Sequence, residues 1–95
     1  MSVSYDEVER FVREEVGVLT GQPPEAVSPE TVLVGQARVV DSADLVMLLL
    51  AAEEFAHERM NATFDWTSDS AMSKARSVLR NVGTLARHLS ELRPD

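Results

Sequence analysis

Positions 45–52 read Leu-Val-Met-Leu-Leu-Leu-Ala-Ala, an uninterrupted apolar run of eight residues that constrains the fold more than any other stretch. A bilayer crossing takes ~20 apolar residues, so this run must be covered by protein instead. Across residues 42–58 the spacing is helical. Leu45, Leu48, Leu49, Ala52, Phe55 and Ala56 make one broad apolar face, and Val46 with Leu50 is expected to widen it. Met47, Ala51, Glu54 and Glu58 fall on the opposite side. A helix this apolar is expected at the centre of a bundle, with neighbours around most of its circumference.

The rest of the chain supplies those neighbours as helices. Ser4 followed by Glu7 reads as a capping box, with Val3 and Val8 as its hydrophobic staple. Val8, Phe11, Val12, Val16 and Leu19 continue at helical spacing, while Asp6, Glu7, Glu9, Arg10, Arg13 and Glu14 take the other faces. The first helix is expected over 5–19, stopped by Gly21 and Pro23-Pro24. Residues 22–41 form a long first loop in which Ser28-Pro29-Glu30-Thr31 reads as a capped turn and Val32, Leu33 and Val34 tuck against the core. Phe64 and Trp66 in the connector 61–67 should close one end of that core. A short helix over 69–76, built on Ala71, Met72 and Ala75, follows. Asn81 caps a last helix over 82–92, where Val82, Leu85, Ala86, Leu89 and Leu92 share a face. The predicted fold is all-α: one domain spanning 1–95, a small bundle of three longer helices and one short one, with no strand pattern.

Composition narrows the function. Sixteen acidic residues against nine basic ones give a net charge of −7, which opposes nucleic-acid binding, because phosphate contacts need clustered Lys and Arg. Residues 1–69 hold fourteen of those acids and only four bases, so the expected partners carry basic docking patches. The chain has no cysteine, which excludes disulfides, thiolate metal sites and cysteine nucleophiles. His57 and His88 have no metal-ligand spacing and are expected at the surface. No nucleophile–base pair or phosphate-cradling glycine loop is present, so an enzyme is not expected. The N-terminus has no basic or apolar signal region, and a soluble, cytoplasmic monomer without membrane contact is expected.

One position stands out chemically. Ser42 lies at the mouth of the apolar helix, where the first N–H groups lack partners and the helix dipole is positive. A phosphodiester on that hydroxyl would be favoured there. The bland alternative is that Asp41 or Ser42 simply caps the helix, supported by Asp44. The two roles are compatible, since Asp41 can cap while Ser42 faces solvent.

The wider pattern favours attachment. Thr31-Val32-Leu33-Val34-Gly35 precedes the site, Asp41-Ser42 forms it, residues 48–54 end in the pair Glu53-Glu54, and Leu79-Arg80-Asn81-Val82-Gly83-Thr84-Leu85 leads into the last helix. Over nearly its whole length the chain thereby resembles an acyl carrier protein of the discrete, free-standing type. That resemblance implies a covalent 4'-phosphopantetheine arm on Ser42, installed by a phosphopantetheinyl transferase using coenzyme A and magnesium. It implies a carrier of acyl thioesters for fatty-acid, polyketide or other specialised biosynthesis, and no catalytic residue of its own. Loading would fall to an acyl- or aminoacyl-specific ligase, a synthase or an acyltransferase. Asp41 is then the flanking motif residue, and Asp44, Met47, Glu53 and Glu54 are docking positions on the second helix. Leu48, Leu49, Ala52 and Met72 would line a cargo space between the second and third helices.

The chain departs from the family pattern at three places. Ala43 stands where leucine or methionine usually follows the serine, Val39-Val40 fill the stretch where glycine is common, and Met47 replaces an acidic docking residue. Asp-Ser rather than His-Ser points to acyl cargo over peptidyl cargo. Two alternatives stay open: an aminoacyl carrier loaded by an adenylation enzyme, and an unmodified helical interaction module in which Ser42 is only part of a cap.

Overall fold

The computed structural model describes residues 3–34, 40–66 and 77–94. Among these residues the architecture is helical: α1 (Tyr5–Thr20), α2 (Ser42–Met60) and α3 (Val82–Ser90), with one 3-10 turn at Pro24–Ala26. The all-α reading holds. The expected short helix over 69–76, with Met72, lies outside the described residues; Ser77 and Val78 just after it are helical. No described helix is long and apolar enough to cross a membrane.

α1 begins and ends where its sequence says it should. The Glu7 N–H donates to Ser4 Oγ at 3.3 Å, and Gly21 closes the helix in the left-handed region at φ 73°, which glycine adopts without a Cβ penalty. Only half of the expected capping box is used. The Glu7 carboxylate instead reaches Arg59 Nη2 on α2 at 3.2 Å. Val8, Val12 and Val16 form a fully buried stripe, with Phe11 and Leu19 packed at its edges. Glu9, expected on an outer face, is buried. Arg13 one turn later folds over it, with Nε 2.8 Å from Oε1 and Nη2 donating to Oε2 at 2.9 Å, so the carboxylate enters the interior already paired.

The long loop is strapped onto the start of α3. Leu33 N–H donates to the Arg80 carbonyl and Val82 N–H to the Thr31 carbonyl, both at 3.0 Å, making an isolated antiparallel bridge between Val32 and Asn81. Gly83 N–H donates to the Pro29 carbonyl at 2.8 Å. These bonds satisfy two of the first N–H groups of α3 and hold Leu33 fully buried beneath the strap. Asn81 and Thr84 complete the N-terminus as a reciprocal capping box. The expected turn at Ser28–Thr31 is present, with Thr31 N–H donating to the Ser28 carbonyl at 3.1 Å. α3 ends at Ser90 rather than 92, although Leu92 still packs against the core.

α2 corrects the central expectation. It runs two residues past the predicted end, to Met60, and is closed by Asn61 in the left-handed region at φ 51°. Its inner face of Leu48, Leu49, Ala52, Phe55 and Ala56 is buried, and Phe55 stacks on Phe11 of α1 with ring centroids 4.3 Å apart. Yet among the described helices α1, not α2, is the one that packs closely against both others. Val46 and Leu50, expected to widen the inner face, are 44% and 47% exposed, beside Met47 at 57%. At 3.6 residues per turn they fall on the side of Met47 rather than that of Leu48 and Ala52. The helix is apolar on two opposed faces, and only one of them is covered.

Candidate functional site

The site is the N-terminus of α2. Asp41 sits in extended backbone (φ −84°, ψ −179°) and its Oδ1 accepts the Asp44 N–H at 2.8 Å. The same residue's carbonyl accepts the Leu45 N–H at 2.9 Å, the first intrahelical bond. Asp41 is therefore the cap, and Ser42 is the first helical residue. Its side chain is exposed, and among the described residues nothing bonds to its hydroxyl. The loop delivers this corner through Val40, which is buried and anchors the chain immediately before the cap. An exposed hydroxyl thus stands on an anchored backbone at the positive end of a helix that runs to Met60.

The predicted neighbours divide. Asp44 is half-buried in the first turn, Met47 is exposed five residues on from Ser42 and about 140° around the helix, and Glu54 is exposed two turns beyond Met47. Glu53 is also exposed, but its Oε2 accepts the indole N–H of Trp66 at 3.0 Å, which pins the connector after α2 against that helix. The proposed cargo residues Leu48, Leu49 and Ala52 come together in the core at 0%, 5% and 0% exposure, so solvent does not reach them. Sheltering an acyl chain there would require the packed core to open. Met72 lies outside the described residues.

Two features of this surface escape the sequence reading. The outward phase of Val46 and Leu50 was legible from the helical repeat, because both lie with Met47 and opposite Ala52. The Trp66–Glu53 bond was signalled only by the general need of a half-buried indole N–H for an acceptor. His57 is exposed as expected. His88 is half-buried and tilts against Phe64 at 5.6 Å between ring centroids.

Among the described residues no cluster of His, Cys, Asp or Glu is arranged to hold a metal ion. A groove of about 500 Å³ between Tyr5, the Pro29–Glu30 turn and Thr84, Arg87 and His88 of α3 does not include Ser42. Part of its polar lining is engaged within the fold. Thr84 Oγ1 donates to main-chain carbonyls and accepts the Asn81 N–H, and Gly83 N–H is bonded to Pro29.

The residues present suit a phosphodiester at Ser42: an exposed hydroxyl, a cap that does not consume it, and a positive helix end beneath. Compared with known proteins, the chain matches no family model and no curated protein at the level of sequence.

Proposed function

We propose that this protein is an acyl carrier of the cytoplasm, bearing a phosphopantetheine arm on Ser42 and delivering acyl groups to partner enzymes. The observation that carries the reading is the division of labour at the head of α2. Asp41 takes the capping bond, and the Ser42 hydroxyl is left exposed on an anchored backbone. A serine present only to cap would accept that bond itself.

In the modification step Ser42 Oγ attacks the pantetheine-side phosphorus of the coenzyme A pyrophosphate. A P–O bond forms to the serine, the pyrophosphate P–O bond breaks, and adenosine bisphosphate leaves. The hydroxyl proton passes to a base on the phosphopantetheinyl transferase. The new phosphodiester anion then lies at the N-terminus of α2, whose dipole favours it. When attached, the arm supplies the thiol on which acyl groups are carried as thioesters. The chain's own residues do no chemistry on that cargo. They hold one end of the arm, and tethering replaces a second-order encounter with delivery at high effective concentration. Met47 and Glu54 are exposed along α2 and Asp44 is half-buried in its first turn; in this reading an acyl-loading ligase, synthase or acyltransferase is the class of enzyme that docks on that helix.

Incubation with coenzyme A, magnesium and a broad-specificity phosphopantetheinyl transferase, followed by peptide mapping, tests this reading. The expected result is one arm, on the peptide containing Ser42. An arm on another serine, or none with several transferases, overturns it and leaves a helical interaction module in which Ser42 only begins the helix. Loading of the armed protein with a panel of acyl and aminoacyl donors then separates acyl from aminoacyl cargo, and acyl cargo is expected.

A further inference from the structure

We infer that the groove between the start of α1, the Pro29–Glu30 turn and α3 is a binding site for a free basic α-amino acid of the lysine or arginine class. Its frame is built by the backbone. Gly83 N–H donates to the Pro29 carbonyl at 2.8 Å and Val82 N–H to the Thr31 carbonyl at 3.0 Å, which fixes Glu30 beside the first turn of α3. The approach is close, since a Cβ on Gly83 would meet the Pro29 carbonyl oxygen at 3.2 Å and the Pro29 Cβ at 3.3 Å. Thr84, Arg87, His88 and Glu91 recur at helical spacing and line the groove along one side of α3. Its volume of about 500 Å³ falls within the range of small-molecule sites, which combine apolar lining with a few polar groups. Ser42 does not line it, so the inference is independent of the arm.

Charge selects the ligand. Glu30, Arg87 and Glu91 all line the groove and are exposed, and among the described residues none of their side chains has a hydrogen bond or ion pair. Arg87 and Glu91 stand one turn apart on α3 without pairing. At ~1.5 Å per residue, Arg87 lies roughly 6 Å along the helix from Gly83, and Glu91 roughly 6 Å further. The groove therefore presents acid, base and acid in succession, each open to a new partner. A free basic α-amino acid carries the three complementary charges. Its carboxylate pairs with the Arg87 guanidinium in the bidentate geometry that arginine favours, its α-ammonium takes one of the two acids, and its side-chain cation takes the other. A simple anion meets an acid on either side of Arg87, and a polyamine sets a cation against it. The net charge of −7 also favours a ligand that is positive overall.

The test is titration of the isotope-labelled protein with L-lysine at constant ionic strength, read by amide chemical shifts. Saturable shifts at Gly83, Arg87, His88 and Glu91 are expected, half-complete at about 1 mM. Arg87→Gln should raise the half-saturating concentration about tenfold, and Glu30→Gln or Glu91→Gln about threefold each. Arg10→Gln, which alters an exposed arginine of α1 outside the groove, serves as the control and should bind as wild type. L-alanine, which lacks the side-chain cation, should bind at least about threefold more weakly than L-lysine. Cadaverine, which lacks the carboxylate, should give no saturable shift at these amides. Circular dichroism confirms that each variant is folded. No saturable shift with L-lysine up to ~50 mM overturns the inference, as do equal shifts with cadaverine, equal affinity for L-alanine, or a wild-type response from folded Arg87→Gln. Each of these outcomes leaves the carrier reading intact.

Discussion

Asp41 and Ser42 are adjacent, similar in size and both good helix caps, yet the fold gives them different tasks. The carboxylate closes the helix and the hydroxyl is presented to solvent. Asp41→Ala should therefore cost about 1 kcal/mol in chemical denaturation, while Ser42→Ala should stay within about 0.5 kcal/mol of wild type. Equal losses in the two variants would mean that the hydroxyl shares the cap. Gly17 makes an opposite point about local rules. Alanine in a helix interior normally gains up to ~1 kcal/mol over glycine, but here a Cβ would meet the Gln22 carbonyl oxygen at 2.6 Å. Gly17→Ala should destabilise the protein by about 1–3 kcal/mol, read from the denaturation midpoint. The cap at Asp41 was legible in the sequence because capping is decided within a few residues. The burial of Glu9 was not, because it depends on a rotamer of Arg13 and on how closely the helices approach.

At the scale of elements, helix starts were readable and helix ends less so. Ser4, Asp41 and Asn81 carry side chains that accept a specific N–H, whereas Asn61 ends α2 through a left-handed backbone conformation that asparagine adopts more readily than most residues but does not require. The strap of the first loop onto α3 was not legible at all, since its bonds run between main-chain atoms of Pro29, Thr31 and Leu33 and their partners at Arg80, Val82 and Gly83. The two faces of α2 give the sharpest prediction here. Leu48→Ala on the covered face should cost about 2–5 kcal/mol, and Leu50→Ala on the open face about 0.5 kcal/mol or less, in the same denaturation assay. Comparable losses would place Leu50 in a packed environment and remove the open face. A single apolar run of eight residues contains both leucines, and only the phase of the helix separates core from surface.

For the whole molecule, the fold class followed from spacing alone, while the order of packing did not. The most apolar helix was expected at the centre, but among the described helices α1, with its buried valine stripe, is the common partner, and Val46, Met47 and Leu50 of α2 are exposed. The radius of gyration of 12.3 Å is that of a compact chain of this length, about 12 Å, so the exposed apolar face is not a sign of loose packing. Beside that face stands the exposed Ser42, to which the proposed function assigns the arm. The central claim is that this serine carries the arm. Its most direct test is the intact mass of the protein recovered from cells that also express a phosphopantetheinyl transferase, compared with Ser42→Ala from the same cells. A single phosphopantetheine increment in the wild type and none in the variant is the predicted result; two unshifted masses, or the same increment in both, would contradict it.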